Sequence, residues 1–217
     1  MKFLKFEILE IMFIPKMFKV EEAADILDFI QKNGFATLIS VNSDGLPLAT
    51  HIPIAVEMLA DNTPVLRGHV SRANPQAQLF DDNQTALAIF TGAHTYISSS
   101  WYEQENVSTW NYSAVHVYGQ IRVLTADELR SDVEKLTAKY EKGVEKPFLV
   151  PQMSPEMVNA QLKGIVGFEL TMTDVQAKAK LSQNRKDADY QHIIKKLEET
   201  NDAQAHQVAA EMKAKRP

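Results

Sequence analysis

The chain has 217 residues, 45% of them hydrophobic, no cysteine and a formal net charge of −5. That length and apolar content suit one large domain or two small ones with a buried core. The missing cysteine excludes disulfides, thiolate metal sites, iron–sulfur clusters and a cysteine nucleophile, and the acidic balance argues against a surface built to neutralise nucleic-acid phosphates.

Met1 to Ile14 contains apolar residues interrupted by Glu7 and Glu10, with no small-residue cleavage site after them. It is read as neither signal peptide nor anchor. No other uninterrupted apolar stretch approaches the roughly 20 residues that span a bilayer. The expected location is the cytoplasm, without a membrane partner.

From Val20 to Asn33, Ala23, Ile26, Leu27 and Ile30 recur at helical spacing, and Gly34 stands where a helix end favours a left-handed residue. Phe35 to Val41 and Leu46 to Val56 then read as a hairpin around Asn42-Ser43-Asp44-Gly45. A third strand, Val65 to Val70, leads into Ser71-Arg72-Ala73-Asn74-Pro75, where Asn74 caps and Pro75 opens a short helix through Phe80. Such a junction suits an anion. Asp81-Asp82 is read as solvated surface.

Thr85 to Thr91 and His94 to Ser98 are expected as two strands, and Ser99 to Tyr112 as a long polar-aromatic loop. Ser113 to Leu124 alternates, with Val115, Val117, Ile121 and Val123 on one side. Thr125-Ala126-Asp127-Glu128 predicts a capping box, followed by a stripe of Leu129, Val133, Leu136 and Tyr140. Pro147 to Pro151 predicts an irregular crossing, Pro155 a short helix, and Ile165 to Thr171 a strand. From Asp187 onward, Tyr190, Ile193, Ile194 and Leu197 share one face of a helical tail. Short strands with a few helices suggest a small barrel or sandwich with helical additions.

Four histidines, His51, His69, His94 and His116, fall in or beside strands without metal-motif spacing. Each is read as a hydrogen-bonded barrel residue, a ligand contact or part of a cluster converging from several strands. Arg67-Gly68-His69 with Ser71-Arg72-Ala73-Asn74 offers cations, donors and a glycine that would admit a planar ligand, which are the parts of a phosphate or flavin site. The same residues also read as a strand, a turn and a capped helix with solvated arginines. Both tryptophans, Trp101 and Trp110, lie in one aromatic stretch that could stack on a flavin or seal an interface. No catalytic constellation and no metal site is assigned.

Taken in order, Met12-Phe13-Ile14-Pro15-Lys16, Ala49-Thr50-His51-Ile52-Pro53, Arg67-Gly68-His69, Arg72-Ala73-Asn74-Pro75, Ser100-Trp101-Tyr102, Thr109-Trp110-Asn111-Tyr112 and Lys180-Leu181-Ser182-Gln183-Asn184-Arg185 resemble the pattern of the PaiB family of FMN-binding negative transcriptional regulators. The resemblance implies a mainly β protein with helices (α+β), an FMN-binding split barrel related to pyridoxamine-phosphate oxidase. It further implies FMN at a homodimer interface and negative regulation of protease-synthesis and sporulation genes. The expected organisation is a split-barrel domain over residues 12–185 and a C-terminal helical segment over 186–217. Residues 1–11 are an extension, with Met12 expected as the native start.

By the same resemblance Thr50, His51, Ile52 and Pro53 line the isoalloxazine ring. Arg67, Gly68, His69, Arg72, Ala73 and Asn74 approach flavin and phosphate, Trp110 contacts the cofactor, and Lys180, Gln183, Asn184 and Arg185 close the site. The first functional expectation is a flavin-dependent sensor or regulator acting through a protein partner, with direct DNA binding disfavoured by charge. The second is an FMN oxidoreductase, with His69, His116 or Tyr118 as proton donor. The third is a haem-binding protein with a histidine axial ligand.

Overall fold

A computed structural model of the chain describes residues 12–80 and 84–216. The expectations for residues 1–11 and for Asp81-Asp82 therefore lie outside the described residues. Six strands order as β1-β2-β3-β6-β5-β4 and close on themselves into a barrel. They are β1 Phe35–Val41, β2 Pro47–Met58, β3 Pro64–Ser71, β4 Gln84–Ile97, β5 Thr109–Val123 and β6 Ile165–Lys180. The helices are α1 Ala23–Lys32, α2 Ala126–Glu141, α3 Pro155–Lys163, α4 Asp187–Glu198 and α5 Ala203–Lys215. The expected α+β barrel with added helices is the fold observed.

The residue contacts group into two compact units, one built on Ile30–Ile89 and Val117–Val175, the other on Phe90–His116, Gln176–Pro217 and the described residues up to Phe29. In the first unit, β1 and β2 pair antiparallel with Leu38 opposite Thr50, and β2 continues onto β3 with Ile54 opposite Gly68. The hairpin turn forms because the Asn42 side-chain oxygen accepts from the amides of Asp44 and Leu46, while Gly45 takes φ +78°, which a side chain would disfavour. Leu38, Ile54, Leu66, Ile121, Phe168 and Leu170 are fully buried there. A ring of six strands is too narrow for a channel, so such side chains fill it.

The capping box at Thr125 and Glu128 is present as predicted and fixes the start of α2. Leu129 is buried on its inner face, whereas Tyr140, expected on the same stripe, is 52% exposed in the last turn. Gln76 is fully buried; its amide nitrogen donates to the Leu38 carbonyl and the Ser40 hydroxyl, while its side-chain oxygen has no partner.

In the second unit the tail residues Tyr190, Ile193, Ile194 and Leu197 of α4 are buried as expected, joined by Ala205, Val208, Ala209 and Met212 of α5 and by Ala93, Ile97 and Leu181. The Tyr190 hydroxyl donates to the Met212 carbonyl and closes the helical pair. Asp202 caps α5 by accepting from the Gln204 amide.

Three strands depart most from the sequence reading, and one residue departs in burial. β4 is one strand rather than two, because Gly92 does not break it: a Cβ there would lie 2.8 Å from the Phe29 ring, so the glycine serves close packing. β5 begins at Thr109, which places Trp110 and Tyr112 on a strand and shortens the loop expected over Ser99 to Tyr112. β6 runs on to Lys180 through a half-buried stretch whose polarity hid it. Val123 emerges 42% exposed at the end of β5, while Val115, Val117 and Ile121 are buried.

Gly119 on β5 is the tightest glycine, with Leu170 Cδ2 and the Thr171 carbonyl oxygen each 2.3 Å from the position of a Cβ. Since the carbonyl cannot rotate away, Gly119→Ala should lower unfolding free energy by about 1–3 kcal/mol, measured by urea denaturation. An unchanged midpoint would show that β5 and β6 separate freely there.

Candidate functional site

Within the first unit, β2 presents Thr50 and His51 while burying Ile52. The Asn74 amide nitrogen donates to the Thr50 hydroxyl at 2.9 Å, and its oxygen accepts from the Gln76 amide at 2.9 Å, capping the short turn Pro75–Leu79. Thr50 and Asn74, far apart in sequence, are thus brought together, with Ala73 beside them donating its amide to Ser71. His51 Nδ1 pairs with the Thr37 hydroxyl at 2.9 Å, and its ring stacks on Phe35 at 6.4 Å. Pro53 lends its carbonyl to the packing around Gly68.

Arg67 is not grouped with that pair. Its Nε and Nη2 both donate to Glu169 Oε2, at 2.9 and 2.6 Å, in a largely buried ion pair. Glu169 Oε1 accepts from Arg122, whose other nitrogens form a fork on Glu128. Removing one partner of such a pair leaves an uncompensated buried charge, which costs about 3–5 kcal/mol. Gly68 has a local role as well, since a Cβ would lie 3.0 Å from both the Phe168 ring and the Pro53 carbonyl oxygen. The lack of a side chain at Gly68 is thus used by the Phe168 ring and the β2 backbone. Arg72 turns its guanidinium to the carbonyls of Lys163 and Ile165, at 2.9 and 3.0 Å. His69 lines a separate cavity beside α2 and α3. Burial lowers the pKa of both His69 and His116, which keeps their rings neutral at neutral pH, and burial raises that of Tyr118.

The second unit holds the other expected residues. Lys180 donates to the Thr109 hydroxyl. Burial lowers its pKa, Tyr112 opposes that shift, and the nearby charges of Lys178 and Arg185 lower it further. Lys178 lies over the Tyr112 ring at 5.3 Å and donates to the Phe13 carbonyl. Arg185 stacks on Tyr102 at 4.6 Å, and its Nε is sealed from solvent without a hydrogen-bond partner. Among the described residues none of these three cations has a carboxylate within ion-pair distance. They form a group of like charge in which no member is ion-paired, although Arg185 shares a cleft with Glu103 and Asp189.

The turn that carries Arg185 is built by its neighbours. Gln183 accepts from the Leu181 amide and donates to the Ala179 carbonyl. Ser182 takes φ +61° and donates to the buried Asn111. Asn184 is exposed and lines a small cleft with Arg185, Glu103 and Asp189. Trp110 is 53% exposed, with Tyr96 and His94 about 6 Å away, so a patch of aromatic surface stands on β4 and β5.

Sequence reading missed Glu169, Arg122 and Lys178. A lone carboxylate within the apolar run of β6 signals a buried partner, and Lys178 shares a strand face with Lys180 through the two-residue period. No group of three or more metal-ligating side chains occurs among the described residues.

A family model described as "Putative FMN-binding domain" matches residues 12–174. The chain belongs to this family. It is also 43% identical over 204 residues to "Protease synthase and sporulation protein PAI 2" of Bacillus subtilis (strain 168), covering 94% of the chain and 98% of that relative, in agreement with the PaiB resemblance. "Uncharacterized protein AN0679" of Emericella nidulans is 28% identical over 190 residues, covering 73% of the chain and 75% of that protein. The fold is shared with the conserved hypothetical protein Rv2991 from Mycobacterium tuberculosis (TM-score 0.58, 15% identity, 81% and 94% of the two chains). It is also shared with the FAD and heme binding protein from Mycobacterium smegmatis (TM-score 0.56, 18% identity, 79% and 78%). No helix among the described residues is long and apolar enough to cross a membrane.

The fork between Arg122 and Glu128, together with the Thr125 amide, holds the Glu128 carboxyl well below the usual 4.5, at about 2. Because the folded value is the lower one, ionised Glu128 contributes stability that is fully present above its unfolded value and is lost as pH falls through the folded one. Glu128→Gln should therefore flatten the loss of stability between about pH 4.5 and 2, measured by denaturation across that range. An acid limb identical to wild type would show that the fork does not hold in solution.

Proposed function

We propose that the protein binds FMN and uses it as a sensor or regulator, with the cation cluster of the second unit receiving the phosphate. One observation carries this reading: Lys178 and Arg185 lie near enough to Lys180 to lower its pKa, and among the described residues none of the three is ion-paired. A phosphate dianion supplies the missing negative charge. The residues present therefore fit the group. Membership of an FMN-binding family and 43% identity to a relative whose name refers to protease synthesis and sporulation support the choice of ligand and of role.

Exposed Trp110, with Tyr96 beside it, offers a face to an aromatic ring. The Thr50–Asn74 pair is a second donor set within its own unit, suited to polar ring atoms. FMN, when bound, supplies redox chemistry that no side chain here could provide. Exposed Phe35 and Leu46 at the ends of the β1–β2 hairpin suit a homodimer contact.

The binding test compares FMN with riboflavin, which lacks the phosphate, by fluorescence titration. Lys180→Ala/Arg185→Ala should weaken FMN binding roughly 10- to 100-fold and leave riboflavin within about twofold. Equal losses for both ligands, or no FMN binding by the wild type, would sink the proposal.

The regulatory route is proposed to run through a protein partner, since the net charge of −5 opposes direct contact with DNA. The FMN-loaded protein should then give no promoter-specific gel shift at physiological salt. A shift that disappears when FMN is removed would overturn the partner route.

A further inference from the structure

A cavity of about 230 Å³ in the first unit shares no lining residue with either donor set described above. It is lined by His69 of β3, Val133 of α2, Val158 and Leu162 of α3, and the methionines Met153 and Met157. No charged side chain lines it, so its occupant is neutral. Its size suits a single substituted ring, since an apolar cavity of about 150 Å³ already admits benzene. Met153 and Met157 are unbranched and polarizable, and their sulfurs make favourable contacts with ring edges.

His69 and the amide of Gln161 are the polar side chains of the lining. The His69 Nδ1 is sealed from solvent without a partner, whereas Nε2 is not. A neutral imidazole carries one N–H, and burial keeps this ring neutral. Placed on Nδ1, that hydrogen would be a buried donor lacking an acceptor. It therefore sits on Nε2, and the ring offers a donor to the cavity.

We propose that this cavity binds a small neutral aromatic compound bearing a hydrogen-bond acceptor, with His69 donating to it. Its lining shares no residue with the cation group or the Thr50–Asn74 pair, and His69, expected from the sequence as a flavin contact, is assigned to this cavity instead.

The probes are acetophenone, which has a carbonyl acceptor and no donor, and α-methylstyrene, the alkene of the same shape. Full-length protein carrying 13C-methyl methionine is titrated with each, with the Met153 and Met157 signals assigned from Met→Leu variants. Acetophenone should shift those two methyls saturably and bind about fivefold or more tightly than the alkene. In His69→Leu the two probes should bind alike, and saturating FMN should leave the acetophenone shifts in place. The proposal is overturned by the absence of saturable shifts at those methyls, by equal affinity of the two probes for the wild type, or by displacement of acetophenone by FMN. The wild-type comparison stands even where the His69 variant does not fold.

Discussion

The β3–β6 pairing of the barrel is held where Arg67 meets Glu169. These two residues lie directly opposite each other in the β3–β6 pairing, 102 positions apart in sequence, and join through a forked bond inside the first unit. A one-residue slip between the strands would carry the guanidinium to the wrong face and leave a buried charge without its partner. Apolar neighbours such as Leu66 and Leu170 accept a shifted register more easily, because hydrophobic contact is not directional. The ion pair thus ties the long-range closure of the sheet to one alignment. Arg122 and Glu128 extend the same network to the start of α2, so strand register and helix position rest on a shared set of charges.

That arrangement separates two kinds of arginine. Arg67 and Arg122 are consumed by carboxylates within the fold, and Arg72 by backbone carbonyls. Arg185 stacks on an aromatic ring and retains an unpartnered nitrogen. Charge neutralisation inside the protein, rather than residue type, distinguishes a structural cation from one suited to an anionic ligand. The Lys178–Lys180 alternation at the end of β6 adds to the same positive field.

Local chemistry was the most legible part of the sequence. The Asn42–Gly45 turn, the Asn74 cap, the Thr125 capping box and the apolar stripe of α4 each follow from interactions within a few residues, and each is found. The continuity of β4 and the length of β6 were not legible, because Gly92 is explained by Phe29, far along the chain, and β6 lacks clean alternation. In the candidate site, the order of the motifs pointed to the family, but not to which arginine is free. That distinction depends on Glu169, whose role appears only once β3 and β6 are paired.

The closed ring of strands has a consequence for how this protein can meet others. A sheet with a terminal strand can recruit an extended peptide by backbone hydrogen bonding, an interaction that reads little of the partner's sequence. Here β4 pairs back onto β1 through Ala86–Ile89, so the sheet has no terminal strand to offer. Side chains on the outer surfaces, where Phe35 and Trp110 stand, are then the features a partner can read. Selectivity in assembly is therefore written in individual residues and can change one substitution at a time without disturbing the barrel.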